Sequence, residues 1–391
     1  MSGQTSAAPS KASMINQNMA LRMQLLSAAQ PIAQQIFTTT IAAPGNANNI
    51  VQIAPRLAGL LKRFKVYITG TANNTEATAG VAAITPLGLA NLLSNVQFVD
   101  TANNTRINTS GWHLDQIATM KYGRPYGGVF GTSPIALQGL GNNFGVINKP
   151  ATIAVASSEP FAAVFDVPIS YSDADLRGAV NLNVTNATAS LQLTLNPAPF
   201  VATGDSTLAV FSGATGTITN VTVTVFQEYL TNLPTNAAGQ LILPPMDMST
   251  VYTLLTTNYT GMVANSDFPV PYTDFRDYLS TSLIYDNGGV LNDGTDINTF
   301  SLTLANYTNL FKVTPSYVAT KVREAMGFDL APGSYYFGSR HKPISPNSFG
   351  NIELNVNPSS VAANSTLYAG FEYMSMLANI GLSSSQAAAG G

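Results

Sequence analysis

The apolar residues of this 391-residue chain fall largely at every second position. In "RFKVYIT", Phe64, Val66 and Ile68 alternate with Lys65, Tyr67 and Thr69; in "NVTVTVF", Val221, Val223 and Val225 alternate with Thr222 and Thr224. Successive side chains of an extended strand point to opposite faces, so a period of two predicts strands buried on one side. "FAAVFDVPI" and "SLQLTLN" are further short apolar segments, and turns rich in Gly, Asn and Pro separate them. From about residue 34 onward this spacing predicts a sandwich or barrel of antiparallel strands.

Ahead of the strands, Met14, Leu21, Leu25, Ala28 and Ile32 recur at helical spacing. They predict an amphipathic helix over residues 13–30, stopped by Pro31, which lacks the N–H that a helix needs. Such a helix either packs on its own domain or reaches a neighbour or a membrane, and the pattern fits both. Short helices are expected within the strand region. Thr85-Pro86 opens one, and "SDADLRGAV" opens another on Ser172 with Asp175 three residues on. In "TPSYVATKVREAMG", Thr314 is the cap and Pro315 the first helical residue; Val318, Val322 and Ala325 form the apolar face, and Gly327 is the stop.

One element is written twice. "LSNVQFVD" (93–100) returns as "LSTSLIYD" (279–286), 186 positions on, and each copy runs into a turn. Each half then nears its end on a similar segment, "VFQEYL" at 225–230 and "GFEYM" at 370–374, and "NLPTNAAGQLILPPMD" lies between the halves. The shared order predicts two β domains of one topology in tandem, with Phe98 and Ile284 on equivalent strands.

Composition narrows the function. Only 9% of residues are charged, against roughly 25% in ordinary soluble domains, so the surface repels copies of itself weakly and suits assembly. There is no cysteine, which excludes disulfides and thiolate metal sites. No basic head with an apolar run opens the sequence, and no apolar stretch reaches the roughly 18 residues needed to span a membrane. Residues 1–75 carry six basic residues and no acidic one. Of the chain's 17 basic and 20 acidic residues, 11 and 20 then remain, a charge of −9. That basic end can face lipid headgroups, but its charges are too sparse for a nucleic-acid arm.

Candidate chemistry is thin. The two histidines, His113 and His341, are too few for a metal-binding β-sandwich enzyme. His113, in "GWHLD" beside the single tryptophan, Trp112, reads as a packed residue, and no nucleophile elbow surrounds any serine. Asp286, Asn287, Asn292, Asp293 and Asp296 offer oxygen ligands for calcium, yet they lack EF-hand spacing, and turns collect such residues anyway. No catalytic, cofactor-binding or metal-binding residue is assigned, and the chain reads as a non-enzyme.

Seven motifs occur in order: "TSGWHL" (109–114), "PATIA" (150–154), "ILP" before "DMSTVY" (242–252), "YDNGG" (285–289), "GTDIN" (294–298), "GNI" before "VNP" (350–358) and "GFEY" (370–373). Together they resemble the major capsid protein of tectiviruses, tailless icosahedral phages with an internal membrane. The resemblance implies an all-β fold of two tandem eight-stranded jelly rolls with short inserted helices and an N-terminal helix. It divides the chain into an N-terminal arm (1–36), a first jelly roll (37–240), a second (241–375) and a small-residue tail (376–391). It further implies a homotrimer forming a pseudo-hexagonal capsomer that tiles an icosahedral shell around membrane and DNA. Its partners would be neighbouring trimers and minor capsid, vertex and membrane proteins, with the inner face near lipid and no sequence-specific contact to nucleic acid. The protein would be made in the host cytoplasm and reside in the virion, without a cofactor. The competing reading is a two-domain β-sandwich adhesin or glycan-binding protein.

Overall fold

The computed structural model describes residues 11–41, 49–74, 82–85, 87–123, 129–130, 152–153, 156–184, 188–196, 210–212, 216–291, 294–304, 307–340, 342–346 and 351–377. Sixteen principal strands carry the fold. The first eight are β1 (Gln30–Ile41), β2 (Ile50–Ile53), β3 (Leu60–Asn74), β4 (Leu93–Val99), β5 (Thr105–Thr109), β6 (Ser158–Pro168), β7 (Ser190–Leu195) and β8 (Gly216–Thr231). The second eight are β9 (Thr250–Tyr259), β10 (Phe268–Tyr272), β11 (Asp277–Asp286), β12 (Ile297–Leu304), β13 (Tyr307–Val313), β14 (Ser334–Gly338), β15 (Ile352–Pro358) and β16 (Thr366–Met376). Among the described residues four α-helices accompany them: α1 (Lys11–Ala28), α2 (Gly111–Tyr122), α3 (Pro245–Met248) and α4 (Pro315–Met326).

One sheet runs β1-β8-β3-β6, and it lies over strands ordered β2-β7-β4-β5. In the second half the same order returns, each strand shifted by eight: β9-β16-β11-β14 lies over β10-β15-β12-β13. This is the jelly-roll arrangement, two Greek keys folded into a two-layer sandwich, present twice. Alternation places Phe64, Val66, Ile68, Val223 and Val225 in the first core with Phe98, Leu191 and Leu193 from the facing sheet. The Phe64 and Phe98 rings meet across it at 5.4 Å. The second core joins Val270, Phe300, Leu302, Leu354 and Val356 to Leu283 and Phe371.

The halves are fused through one sheet. β5 of the first sandwich pairs in parallel with β9 of the second, Ile107 opposite Leu254 and Asn108 opposite Leu255, giving eight strands in a continuous layer. Leu254 packs into the first core and Leu255 against the second. The two covering sheets therefore lie on opposite sides of the shared layer.

Several expectations need correction. The repeated octapeptides are not equivalent: Phe98 lies on β4, the fourth strand of its sandwich, and Ile284 on β11, the third of the other. Their likeness has a local cause. Asp100 accepts the N–H groups of Ala102 and Asn104, and Asp286 that of Gly289, so each motif is a core strand ending in an Asp-capped turn. The closing segments do correspond, since β8 and β16 occupy the same place. Ser172 bonds the Asp175 N–H at 2.9 Å, but the chain turns there and forms no helix. Thr85 accepts the Gly88 N–H at 3.1 Å, ahead of a single 3-10 turn over Gly88–Leu92. Helix α4 has the expected cap and stop, with Val318 and Val322 buried, but Ala325 is exposed. Residues 30–36, expected in the arm, belong to β1, because their backbone pairs with β8 along its length.

Candidate functional site at the junction of the two sandwiches

Helix α2 follows β5 and fills the seam between the sandwiches. Ser110, extended, precedes it; Gly123, at φ 65°, ends it and donates its N–H to the Thr119 carbonyl. Leu114 and Ile117 enter the first core. Trp112 joins Leu87 and Ala90 with Ile284, Ala331 and Tyr368 of the second sandwich. Residues 111–120 are all buried, an unusual state for a helix in a β protein, and it arises because the helix is covered by its own sandwich and by the next. Gly111 and Gly370 permit this closeness. A Cβ on Gly111 would stand 2.2 Å from the Ala90 carbonyl oxygen, and one on Gly370 would stand 2.4 Å from the His113 ring.

His113 is the packed residue that the sequence suggested. Its Nδ1 lies 2.7 Å from the Thr109 hydroxyl, which lies 2.6 Å from the Thr256 hydroxyl on β9, a chain of bonds crossing the junction. Its Nε2 is buried without a partner among the described residues. Burial lowers its pKa to about 3, so the ring is neutral at ordinary pH. Asp115 is buried two residues further on, with Oδ1 unpartnered among the described residues, and burial pushes its carboxyl well above the usual range. Gln116 donates to the Tyr335 carbonyl at 3.3 Å. The helix thus carries two titratable groups sealed from solvent, His113 and Asp115, each with its charged form disfavoured by burial, which is the geometry of a plug between domains.

A second buried network ties the sheet together. Glu372 on β16 accepts the hydroxyls of Tyr252 (2.8 Å) and Ser280 (2.5 Å), and Arg340 approaches it at 3.1 Å. Burial and the Glu372 charge push Tyr336 up to about 12 and Tyr252 well above its usual range. A carboxylate so enclosed is held by its partners, and losing one leaves an uncompensated charge.

Four of the six cations of the N-terminal segment, Arg22, Lys62, Arg63 and Lys65, are paired with carboxylates within the molecule. Arg63 pairs with Asp166, Asp173 and Glu228, Lys62 with Asp173, and Lys65 with Asp166. Arg22 of α1 grips Asp247 of α3 and Asp175, and Asn18 donates to Asp247 at 2.9 Å. The electrostatic case for an anionic partner at this end therefore weakens. Helix α1 buries Asn18 and Leu25, and Ala29 is buried just past its end, while Met14 and Ala28 of the expected stripe are exposed and Ile32 lies in β1. The Asp247 anchor draws the polar Asn18 and Arg22 inward. Met14, Ile15, Met19 and Met23 are exposed along the helix.

Of the residues weighed as oxygen ligands and not assigned, Asp286 caps its turn, Asn287 accepts from the Ala362 N–H and the Ser365 hydroxyl, and Asp296 accepts from the Ser360 hydroxyl. They tie two neighbouring loops together. Among the described residues no cluster of His, Cys, Asp or Glu suits a metal; Asn292, Asp293 and His341 lie outside them. Sequence reading missed α2. Its signal was the spacing from Ser110 to Gly123, which repeats from Thr314 to Gly327, 204 positions on.

Comparison with known proteins agrees with this architecture. The family described as P3 major capsid protein N-terminal matches residues 4–233, and the one described as P3 major capsid protein C-terminal matches residues 249–387. Major capsid protein P3 of Enterobacteria phage PRD1 is 37% identical over 363 residues, covering 91% of this chain and 90% of that protein. In the atomic structure of Sulfolobus Turreted Icosahedral Virus, a chain superposes with TM-score 0.64 at 12% identity, covering 92% of this chain and 95% of its own. A chain of the PBCV-1 virus capsid superposes with TM-score 0.52 at 11% identity, covering 89% and 95%. At such identities the superpositions establish the fold alone.

Proposed function

The chain belongs to the P3 major capsid protein family and is a structural coat protein of a virion, and from that premise we propose that three copies form a trimer presenting six sandwiches as a pseudo-hexagonal tile. The observation that carries this reading is the double jelly roll itself: two sandwiches of one strand order, locked side by side through β5 and β9. A rigid pair repeated three times approximates sixfold symmetry, and such tiles pack into a closed shell. Light scattering of the purified protein is expected to give about three times 41.1 kDa; a monomer at micromolar concentration overturns the trimer.

In the assembled shell the exposed side of α1 faces inward, toward lipid, adjacent capsomers or minor capsid, vertex and membrane proteins. What supports this is that the helix is anchored through Asn18 and Arg22 while Met19 and Met23, further round it, remain exposed. Among the described residues no helix is long and apolar enough to cross a membrane, so contact with lipid would be at its surface. Met19→Glu with Met23→Glu leaves the Asp247 anchor untouched. The expected result is a normal trimer that no longer builds intact shells around vesicles; unchanged shell assembly sinks the assignment. The cysteine-free chain suits synthesis in a reducing host cytoplasm.

A further inference from the structure

The face of α2 that meets the second sandwich changes character along its length. Asp115, Gln116 and Thr119 follow Trp112 by three, four and seven positions, and residues so spaced share one side of a helix. Across from them, Ile284 of β11 pairs with Tyr368 of β16 on one side and with Ser334 of β14 on the other. Residues paired on neighbouring strands point to the same face of a sheet. Ile284 and Tyr368 pack against Trp112, so Ser334 faces α2 as well. Around Trp112 the contact is apolar; toward Asp115 and Ser334 it turns polar.

There Asp115, Gln116, Thr119 and Ser334 line a cavity of about 30 Å³. Gln116 is engaged, its amide donating to the Tyr335 carbonyl at 3.3 Å. Asp115 and Ser334 offer unmatched atoms. Asp115 is only 8% exposed, and its Oδ1 and the Ser334 Oγ are both buried without a partner among the described residues. One comes from the first sandwich and the other from the second. Folded proteins leave few buried polar atoms unmatched, since each forfeits its bonds to water. We propose that one ordered water occupies this cavity and bridges Asp115 on α2 to Ser334 on β14, carrying the hydrogen bonding of one sandwich into the other.

Size and chemistry both select water. A buried water needs roughly 10–15 Å³ and two to four polar partners, and the cavity offers both. Pockets for organic ligands run to about 300–1,000 Å³, so such a ligand does not fit. Water both donates and accepts, so it serves a carboxyl oxygen and a hydroxyl at once, whichever way the serine O–H turns. A cation is the other occupant that oxygen atoms attract. It would need a charged carboxylate, and burial disfavours the charged form of Asp115. The other carboxylate at the wall, Asp329, is exposed and pairs with Arg323 at 2.6 Å. Water asks for no charge on Asp115.

The bridge makes the seam dry at one end and wet at the other. Apolar packing around Trp112 is non-directional, whereas a hydrogen bond weakens steeply when it is misaligned. The first turn of α2 is already tied by the bonds from His113 through Thr109 to Thr256. The water adds a directional tie further along the helix, so α2 is held in register against the second sandwich at two places. This is a property of the single chain and does not depend on the trimer.

A crystallographic density map of the full chain that shows ordered water tests this. The expected result is one oxygen within about 3.2 Å of both Asp115 Oδ1 and Ser334 Oγ, with no anomalous signal there after soaking in rubidium chloride. A map with nothing between the two groups overturns the proposal, as does a direct bond from either to the other or to another part of the chain. A rubidium peak overturns it in favour of a monovalent cation. Denaturant unfolding of the full chain supplies a second reading. Asp115→Leu and Ser334→Ala each remove one side of the bridge, and the double variant removes both. A lone unmatched group costs more than none, so the unfolding constant of the double variant should lie at least about threefold closer to the parent's than the product of the two single effects. Effects that simply multiply mean that the two groups share no ligand, and overturn the bridge. Should Asp115→Leu not fold, Asp115→Asn keeps the shape and an acceptor oxygen, and its map should keep the water. Loss of the water from folded Asp115→Asn overturns the bridge.

Discussion

Helices α2 and α4 occupy the same place in two copies of one fold, have the same length, and stop on glycines at φ 65° and 79°. Yet α2 is buried on all sides, and α4 buries only Pro315, Val318 and Val322. The difference lies in the neighbour. α2 has the second sandwich against it, so its outward positions hold Trp112, His113 and Gln116, and Gly370 opposite gives way to the His113 ring. α4 has water there within a single chain and carries Ser316, Tyr317 and Thr320. A helix in this family of folds is therefore shaped less by its own sandwich than by the sandwich beside it.

The comparison breaks most sharply at Trp112. Trp112→Ala empties the cluster shared by both sandwiches and is expected to destabilise the chain by about 3–5 kcal/mol. Tyr317→Ala, at the neighbouring position on the exposed helix, should change the stability of the unassembled chain by no more than about 0.5 kcal/mol. Denaturant titration of both variants under dissociating conditions measures the contrast. Equal losses would mean that the two helices are equally supported.

Acidity separates the helices next, because α4 has no buried titratable group to match His113 or Asp115. The folded His113 pKa of about 3 lies below the unfolded value of about 6.5, so the stability this residue preserves at neutral pH is lost as pH falls through that interval. Asp115 acts oppositely: its folded pKa is raised, so its contribution is present in acid and lost as pH rises above about 3.8. Between about pH 4 and 6.5 the two slopes oppose each other, each at most about 1.4 kcal/mol per pH unit. Relative to the parent chain, His113→Gln should gain stability on acidification and Asp115→Asn should lose it. Parallel shifts in both variants would show that the groups are not sealed in the junction.

Gly370 comes third. Adding a methyl group against the His113 ring should cost about 1–3 kcal/mol, since the ring is fixed by Thr109 and has no space to retreat. Gly327→Ala on α4 meets no atom within 4 Å, so it bears only the left-handed backbone strain. Melting temperatures of the two variants give the ratio directly.

Much of this was legible in the sequence. Alternation placed β3 and β8 with their buried faces, because a strand covered on one side must alternate, and Thr314, Pro315 and Gly327 marked α4 because caps are local chemistry. The tandem duplication was inferred correctly from the wrong pair: "LSNVQFVD" and "LSTSLIYD" agree through strand-and-turn chemistry that any two strands can share. Three features depended on contacts between distant residues and so left no local period. Helix α2 lacks an apolar stripe because it has no solvent side. Helix α1 turns Asn18 and Arg22 inward because Asp247, 225 residues beyond Arg22, awaits them. Arg22, Lys62, Arg63 and Lys65 looked available only because their carboxylate partners lie later in the chain.

The smallest effect distinguishes the helices at their first turns. Thr314 caps α4 in the ordinary way, its side chain accepting the Tyr317 N–H at 3.4 Å. Ser110 makes no such side-chain bond to α2. The Thr256 hydroxyl of the second sandwich instead accepts the Ser110 N–H at 3.2 Å and lies 3.4 Å from its hydroxyl. The junction has thus taken over part of the work of the cap. Thr314→Ala should lower stability by about 0.5–1 kcal/mol, the low end for a cap given the long bond. Ser110→Ala should cost less, because the backbone bond to Thr256 survives the substitution. Thr256→Ala removes that bond and also the partner of Thr109, so it should cost more than Ser110→Ala although it lies in the other sandwich. Chemical denaturation of the three variants decides the order. If Ser110→Ala proves as costly as Thr314→Ala while Thr256→Ala is silent, α2 is capped from within its own sandwich, and the junction does not hold its first turn.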